Sequence, residues 1–276
     1  MLNLSVILED SAKRYPAKPA FTFMDTMLTF SQVNEYANCV ANGLRSMGIK
    51  AGDKVALGCP NLPYFPIIYF GIIKMGAVVV PLNVLLKKDE IVYHLRDSDA
   101  KAYFCFAGTN DFPMGEAGYA AFKEVDGCAH FLMIMPKPGM PSGIEGITTL
   151  SDFMAGQSPS FEIHQTNAED TCVIIYTSGT TGQPKGAELT HSNLLLNAIA
   201  ICDLMHNDDD DIALIVLPLF HIFGMTVMMN AGIYKGRSSI MLIRFDAEMV
   251  FDAMQKHKVT LFCRGTNHVL GLIELY

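Results

Sequence analysis

The sequence has no surplus of positive charge. It sets 20 Lys and Arg against 28 Asp and Glu, a formal net charge of −8 over 276 residues. An acidic chain is a poor match to a phosphate backbone or to an anionic membrane surface, which argues against nucleic-acid binding and against membrane binding through a basic face. Charge of either sign is sparse at 17%, and half the residues are hydrophobic, so a disordered chain is excluded. With 22 Gly and 13 Pro, a collagen-like or low-complexity chain is excluded as well. The seven cysteines, at 39, 59, 105, 128, 172, 202 and 263, form no CxxC pair and no zinc-ligand spacing. They read as small buried hydrophobes in a reducing compartment, the cytoplasm. Residues 1–16 lack a basic first region, and their short apolar run stops at Glu9 and Asp10, so no signal peptide is expected. No fixed-period repeat is present.

One uncharged stretch, residues 212–234, has the length of a membrane span. Pro218 and His221 split it into a β-branched run at 212–217 and a second run after Gly224. The surrounding alternation of strand and helix buries such runs inside protein, so no transmembrane segment is expected.

Helical spacing of Leu4, Ile7, Leu8 and Ala12 predicts a helix over 3–15, followed by a strand at 18–23. A stripe of Val33, Tyr36, Ala37, Val40, Ala41 and Leu44 predicts a helix with Ser31 as N-cap and Gly48 as C-cap. Strands at 55–57 and 77–80 flank a loop at Pro60, Asn61 and Pro63 and an apolar helix at 64–75. A helix at 88–97 and strands at 102–106 and 131–135 continue the pattern. Residues 136–160, rich in Pro, Gly and Ser, read as surface connection with a short helix at 150–154, and a subdomain boundary is expected near 136–170. Beyond it come strands at 172–176, 212–217, 239–243 and 259–262, and helices at 192–205, 224–234 and 247–257. Apolar strands alternating with helices imply an α/β fold, with mostly parallel sheets and helices on both faces.

The chemistry is concentrated in residues 176–186, Tyr-Thr-Ser-Gly-Thr-Thr-Gly-Gln-Pro-Lys-Gly. Thr177, Ser178, Thr180 and Thr181 supply hydroxyls, while Gly179, Gly182 and Gly186 let the backbone turn and expose its N–H groups. Lys185 adds positive charge. Together these form a concave donor set suited to a polyphosphate, following a buried strand. The spacing is neither GxxxxGK[ST] nor GxGxxG.

This segment, continuing as Ala-Glu-Leu-Thr-His-Ser-Asn through 193, resembles the phosphate-binding signature of the adenylate-forming enzymes. These are the acyl-CoA synthetases, peptide-synthetase adenylation domains and luciferases. The resemblance runs along the whole chain. It includes the opening Pro-Ala-Lys-Pro-Ala-Phe-Thr-Phe, the segment Leu-Pro-Leu-Phe-His-Ile-Phe-Gly-Met at 217–225, and Arg244-Phe245-Asp246. The form of the second segment resembles the fatty-acid and medium-chain acyl-CoA ligase branch.

The resemblance implies the fold of that family's large N-terminal domain and a two-step reaction. A carboxylic acid is first activated by ATP as an acyl-adenylate and then transferred to CoA, with Mg²⁺ accompanying ATP. It places ATP phosphates on Thr177, Ser178, Gly179, Thr180, Thr181, Gly182 and Lys185. It places the acyl pocket at Phe220, His221 and Gly224, with His221 in the catalytic role. Read from the residues alone, His221 is more often a satisfied histidine between apolar elements, and only the motif match favours a site role. The acidic run 208–211 reads as a solvated turn rather than a metal site, and the 17 Met and 17 Phe as core rather than an acyl tunnel.

Three later elements of the family have no counterpart before Tyr276: an adenine-facing loop with a Mg²⁺ carboxylate, a ribose-binding aspartate, and a C-terminal lid domain with a catalytic lysine. Where the family continues Pro-Gly-Val-Pro-Thr, this chain reads Cys263-Arg-Gly-Thr-Asn-His268. Residues 1–276 are therefore expected to be a partial AMP-binding domain without the lid, inactive as they stand. The alternative is a non-catalytic nucleotide-binding or interaction module derived from that family. Expected partners are the acid, ATP and CoA, with no nucleic acid and with a homo-oligomer left open.

Overall fold

The computed structural model describes residues 1–109, 112–177, 182–206 and 208–263. They form an α/β fold in two compact units, each discontinuous in sequence. The first contains residues 1–5, 35–59 and 67–191, and the second 6–34, 60–66 and 192 onward. The segment at 136–170, where a boundary was expected, lies inside the first unit, which runs unbroken from 67 to 191.

The first unit is built on a seven-stranded sheet in the order Thr148–Thr149, His130–Ile134, Ala100–Phe106, Lys54–Gly58, Val78–Pro81, Thr171–Thr177, Lys185–Thr190. All neighbours are parallel except the last pair, an antiparallel hairpin. Val78–Pro81 is buried at every position, as its unbroken apolar run requires of a central parallel strand. Ile91, Val92 and Leu95 of the helix Lys88–Asp97 pack with Val80, Tyr103, Phe131 and Ile174 into one cluster. The helix Met114–Phe122 also packs there through Ala121. Its sequence, with Gly115 and Gly118, carries no strong helical signal, and the sequence reading passes it over.

The second unit holds a five-stranded sheet in the order Leu261–Phe262, Ile212–Ile215, Ser238–Met241, Pro19–Phe23, Thr26–Thr29. Only the Pro19–Phe23/Thr26–Thr29 pair is antiparallel. Leu214, Val216 and Ile240 pack against Val250 and Ala253 of the helix Ala247–His257.

Two local expectations change. The helix Phe30–Ser46 starts two residues earlier than expected, and its cap is Thr29, not Ser31. The Gln32 N–H donates to Thr29 Oγ1 (3.3 Å) and the Thr29 N–H to Gln32 Oε1 (2.9 Å), a reciprocal capping box. Its C-terminus follows expectation: Gly48 adopts φ 84°, and Ile49 N–H reaches back to the Leu44 carbonyl. The regular helix expected over 224–234 is instead a π-helical turn, Gly224–Asn230, followed by the α-helix Ala231–Lys235. The Ala231 N–H donates to the Thr226 carbonyl five residues back. The uncharged stretch 212–234 is thus divided among a strand, a turn at Pro218 and two short helical pieces. Among the described residues no helix is long and apolar enough to cross a membrane.

Candidate functional site

The loop singled out by sequence is the tip of the hairpin that closes the seven-stranded sheet. The strand Thr171–Thr177 is apolar and buried in its first half because Cys172, Val173 and Ile174 enter the core. It emerges at Thr177, which is exposed. The returning strand, Lys185–Thr190, is not anticipated from sequence. It lies at the sheet edge with its first four residues exposed, so it carries no apolar alternation to read.

Register pairs Tyr176 with Gly186 and Thr177 with Lys185. Thr177 and Lys185, eight positions apart in sequence, therefore stand side by side at the mouth of the loop. Gly182 lies between them with φ 96°. Ser178, Gly179, Thr180 and Thr181 lie outside the described residues.

Both arms of this hairpin are tied to the helix Lys88–Asp97. Tyr176 Oη donates to Asp97 Oδ2 at 2.6 Å, and Tyr93 Oη donates to the Pro184 carbonyl at 2.8 Å. Burial first, and then the Asp97 carboxylate, push the Tyr176 phenol well above its ordinary pKa. The Tyr93 phenol is raised by the same two causes in the same order. Both phenols therefore stay protonated donors at neutral pH. Sequence reasoning assigned these tyrosines no role, because each finds its partner some eighty to ninety residues away in the chain.

Phe220, His221 and Gly224 belong to the second unit, in the segment between the strand Ile212–Ile215 and the π-helical turn. His221 is exposed, so the reading of a buried, satisfied histidine does not hold. Its Nδ1 accepts a long hydrogen bond from the Phe223 N–H at 3.4 Å, which puts the proton of the neutral ring on Nε2. Phe220 is half-buried and Gly224 buried.

A residue that sequence reading took only for a loop position holds this segment in place. Asn61, 2% exposed, donates to the Leu217 carbonyl (3.0 Å) and the Leu242 carbonyl (3.2 Å), and its Oδ1 accepts from the Leu219 N–H (2.9 Å). Asp246, at the end of the Arg-Phe-Asp motif, caps the helix Ala247–His257, accepting from the Met249 N–H at 3.0 Å.

The acidic run resolves as a turn. The Asp208 N–H donates to Asp211 Oδ2 (2.8 Å), and Asp211 Oδ1 accepts from Thr260 Oγ1 (2.7 Å). Among the described residues no group of three or more His, Cys, Asp or Glu is placed to hold a metal ion. All seven cysteines are free, six of them buried. Residues 264–268, where the sequence departs from the family pattern, lie outside the described residues.

The mostly parallel seven-stranded sheet ends in a hairpin whose loop sequence is rich in hydroxyls and glycines, with Lys185 at its mouth. Comparison gives the family: the sequence matches the AMP-binding enzyme family over residues 8–273, and the chain belongs to it. It is 31% identical over 295 residues to a long-chain-fatty-acid–CoA ligase of Bacillus subtilis (strain 168), covering 99% of this chain and 52% of that protein. The structure superposes on the anthranilate CoA ligase AuaEII in complex with anthranoyl-AMP with a TM-score of 0.86, at 28% identity, covering 94% of this chain and 49% of that one. ATP-bound MatB from Rhodopseudomonas palustris gives a TM-score of 0.84 at 27% identity, over 99% of this chain and 51% of that one. The chain spans about half the length of these relatives.

Proposed function

We propose that this chain is the N-terminal part of an ATP-dependent acyl-CoA ligase that activates a fatty acid and works in the cytoplasm. The observation that carries the reading is the hairpin that sets Thr177 beside Lys185 at the mouth of the 176–186 loop. Hydroxyls, backbone N–H groups and one ammonium suit phosphate oxygens, and Mg²⁺ enters as the companion of ATP rather than as a resident ion. The branch-specific segment at 217–225 and the similarity to the fatty-acid ligase of Bacillus subtilis support a fatty acid over an aromatic one. The free, buried cysteines support a reducing compartment.

In the first step a carboxylate oxygen bonds to the α-phosphorus of ATP and the bond to the β-phosphate oxygen breaks, releasing pyrophosphate. In the second, the CoA sulfur bonds to the acyl carbon and AMP leaves. Lys185 and the loop hydroxyls offset the charge gathering on the departing pyrophosphate, where preorganised donors act most strongly. On this reading His221, whose Nδ1 is engaged by the Phe223 N–H, is the residue that walls the carboxylate site.

The test is Mg·ATP titration and pyrophosphate release with a panel of fatty and aromatic acids. Both use the 276-residue chain and, where the reading frame continues past Tyr276, a version extended to its stop codon. Lys185→Ala should weaken Mg·ATP binding by about 1.5–3 kcal/mol, roughly tenfold or more. Pyrophosphate release should appear with the extended version and be greatest with fatty acids. Equal nucleotide affinity in both proteins would refute the phosphate assignment. An extended chain that binds ATP yet turns over no acid would favour a binding module.

A further inference from the structure

The hairpin's two attachments flank its one direct pair of loop-mouth residues. Tyr176 immediately precedes Thr177, and Pro184 immediately precedes Lys185. Both are held by a single helix, Lys88–Asp97, through Asp97 and Tyr93. That helix is a firm anchor. Its own Ile91, Val92, His94 and Leu95 are buried, and the Ser98 hydroxyl closes its end on the His94 carbonyl at 2.6 Å. The rings interlock as well. Tyr93 meets Tyr176 edge-on at 6.4 Å between centroids, and His94 meets Tyr176 at 4.3 Å.

The Pro184 carbonyl precedes the first ladder pair, so the strand ladder does not fix it. Without the Tyr93 hydroxyl, the approach to Lys185 would be set only by the loop itself.

We propose that Tyr93 is a positioning residue for the phosphate loop, acting through Pro184 to fix where the Lys185 ammonium can reach. This deepens the phosphate-binding reading and rests on it. Tyr93 touches no phosphate. It removes freedom from the loop before the ligand arrives, so ordering the lysine costs less on binding. The Tyr176–Asp97 hydrogen bond does the same for the outgoing arm.

The test combines two readouts on the 276-residue chain. The first is amide exchange of residues 182–190, which needs no ligand. The second is Mg·ATP affinity by calorimetry for wild type, Tyr93→Phe, Lys185→Ala and the double variant. Tyr93→Phe keeps the ring and its packing, so the melting temperature should hold. Exchange at 182–190 should rise about fivefold, and Mg·ATP affinity should fall about three- to tenfold, the worth of one hydrogen bond. In the Lys185→Ala background the same change should cost less than about twofold, because the group being positioned is gone.

Unchanged exchange would overturn the proposal. So would an affinity loss that is the same with and without Lys185, since that marks a general structural effect. If Lys185→Ala binds Mg·ATP as tightly as wild type, the phosphate reading itself fails, whereas a loss there with none in Tyr93→Phe refutes the positioning role alone. Tyr176→Phe serves as the second variant and should show the same pattern through Thr177.

Discussion

Arg237 is 1% exposed, yet it is an arginine. Its Nη2 donates to the Met228 carbonyl at 3.3 Å, while among the described residues Nε and Nη1 have no hydrogen-bond partner. Burial lowers its pKa, and the countervailing influences, Cys202, Asp211 and Cys263, are weaker. The absence of a side chain at Gly232 makes room for the guanidinium, since a Cβ there would stand 3.2 Å from Nη2. A buried cation with unpaired donors costs stability, and replacing such a group by an apolar one of similar length is neutral or favourable. Arg237→Met is therefore expected to stabilise the protein by about 1–3 kcal/mol, a rise of several degrees in thermal melting. A fall of that size would mean that the guanidinium has a strong partner. Nothing in the local sequence, Lys-Gly-Arg-Ser-Ser, marks this residue as buried. A charged residue between two elements reads as solvated, and only packing in the second unit shows otherwise.

At the scale of elements, the π-helical turn Gly224–Asn230 depends on one close approach. A Cβ on Gly224 would lie 2.3 Å from the Pro218 carbonyl oxygen and 2.8 Å from its carbon. Both are backbone atoms, so the turn and the Pro218–His221 segment would have to separate. Gly224→Ala should cost about 1–3 kcal/mol in urea unfolding, the range for overpacking. Gly127→Ala is the control, since its new Cβ would meet only Asp99 Oδ1 at 3.8 Å. Equal midpoints for the two variants would remove the close approach as the reason for glycine here.

The helices Lys88–Asp97, Leu150–Met154 and Ala247–His257 match their sequence-based bounds because their caps and apolar stripes are local. Lys185–Thr190 and Thr26–Thr29 do not announce themselves, because edge strands are defined by the partner they pair with, not by their own pattern. Half of the loop's chemistry was therefore visible as composition. The pairing of Thr177 with Lys185 was not.

At the scale of the whole molecule, acid sensitivity is expected in the first unit. His191 is 1% exposed, its Nδ1 accepts from the Leu4 N–H at 3.0 Å, and its backbone N–H donates to the Asp170 carbonyl at 3.3 Å. It thereby ties residues 1–5 to the start of the helix His191–Leu204. Burial lowers its pKa from 6.5 to about 4, only partly opposed by Asp170. Between those values the unfolded chain binds more protons than the folded one, so stability rises with pH through this window. It is complete above pH 6.5 and falls as pH drops toward 4, by about 3 kcal/mol in all. Denaturant midpoints at pH 7.5, 5.5 and 4.5 should follow that course in wild type and flatten in His191→Gln, whose side-chain oxygen still accepts from Leu4. Parallel curves for the two proteins would assign the acid loss elsewhere.

The sequence by itself determined the α/β class and the family and marked out the donor-rich loop at 176–186, because strand–helix alternation, helix caps and a dense run of donors are all encoded over a few residues. The tertiary structure alone decided which strands share a sheet, that the two units are each stitched from distant segments, and that Asn61 and Tyr93 find the partners they do. Those facts depend on partners dozens to hundreds of residues away, and hydrophobic periodicity records that a face is buried without recording against what.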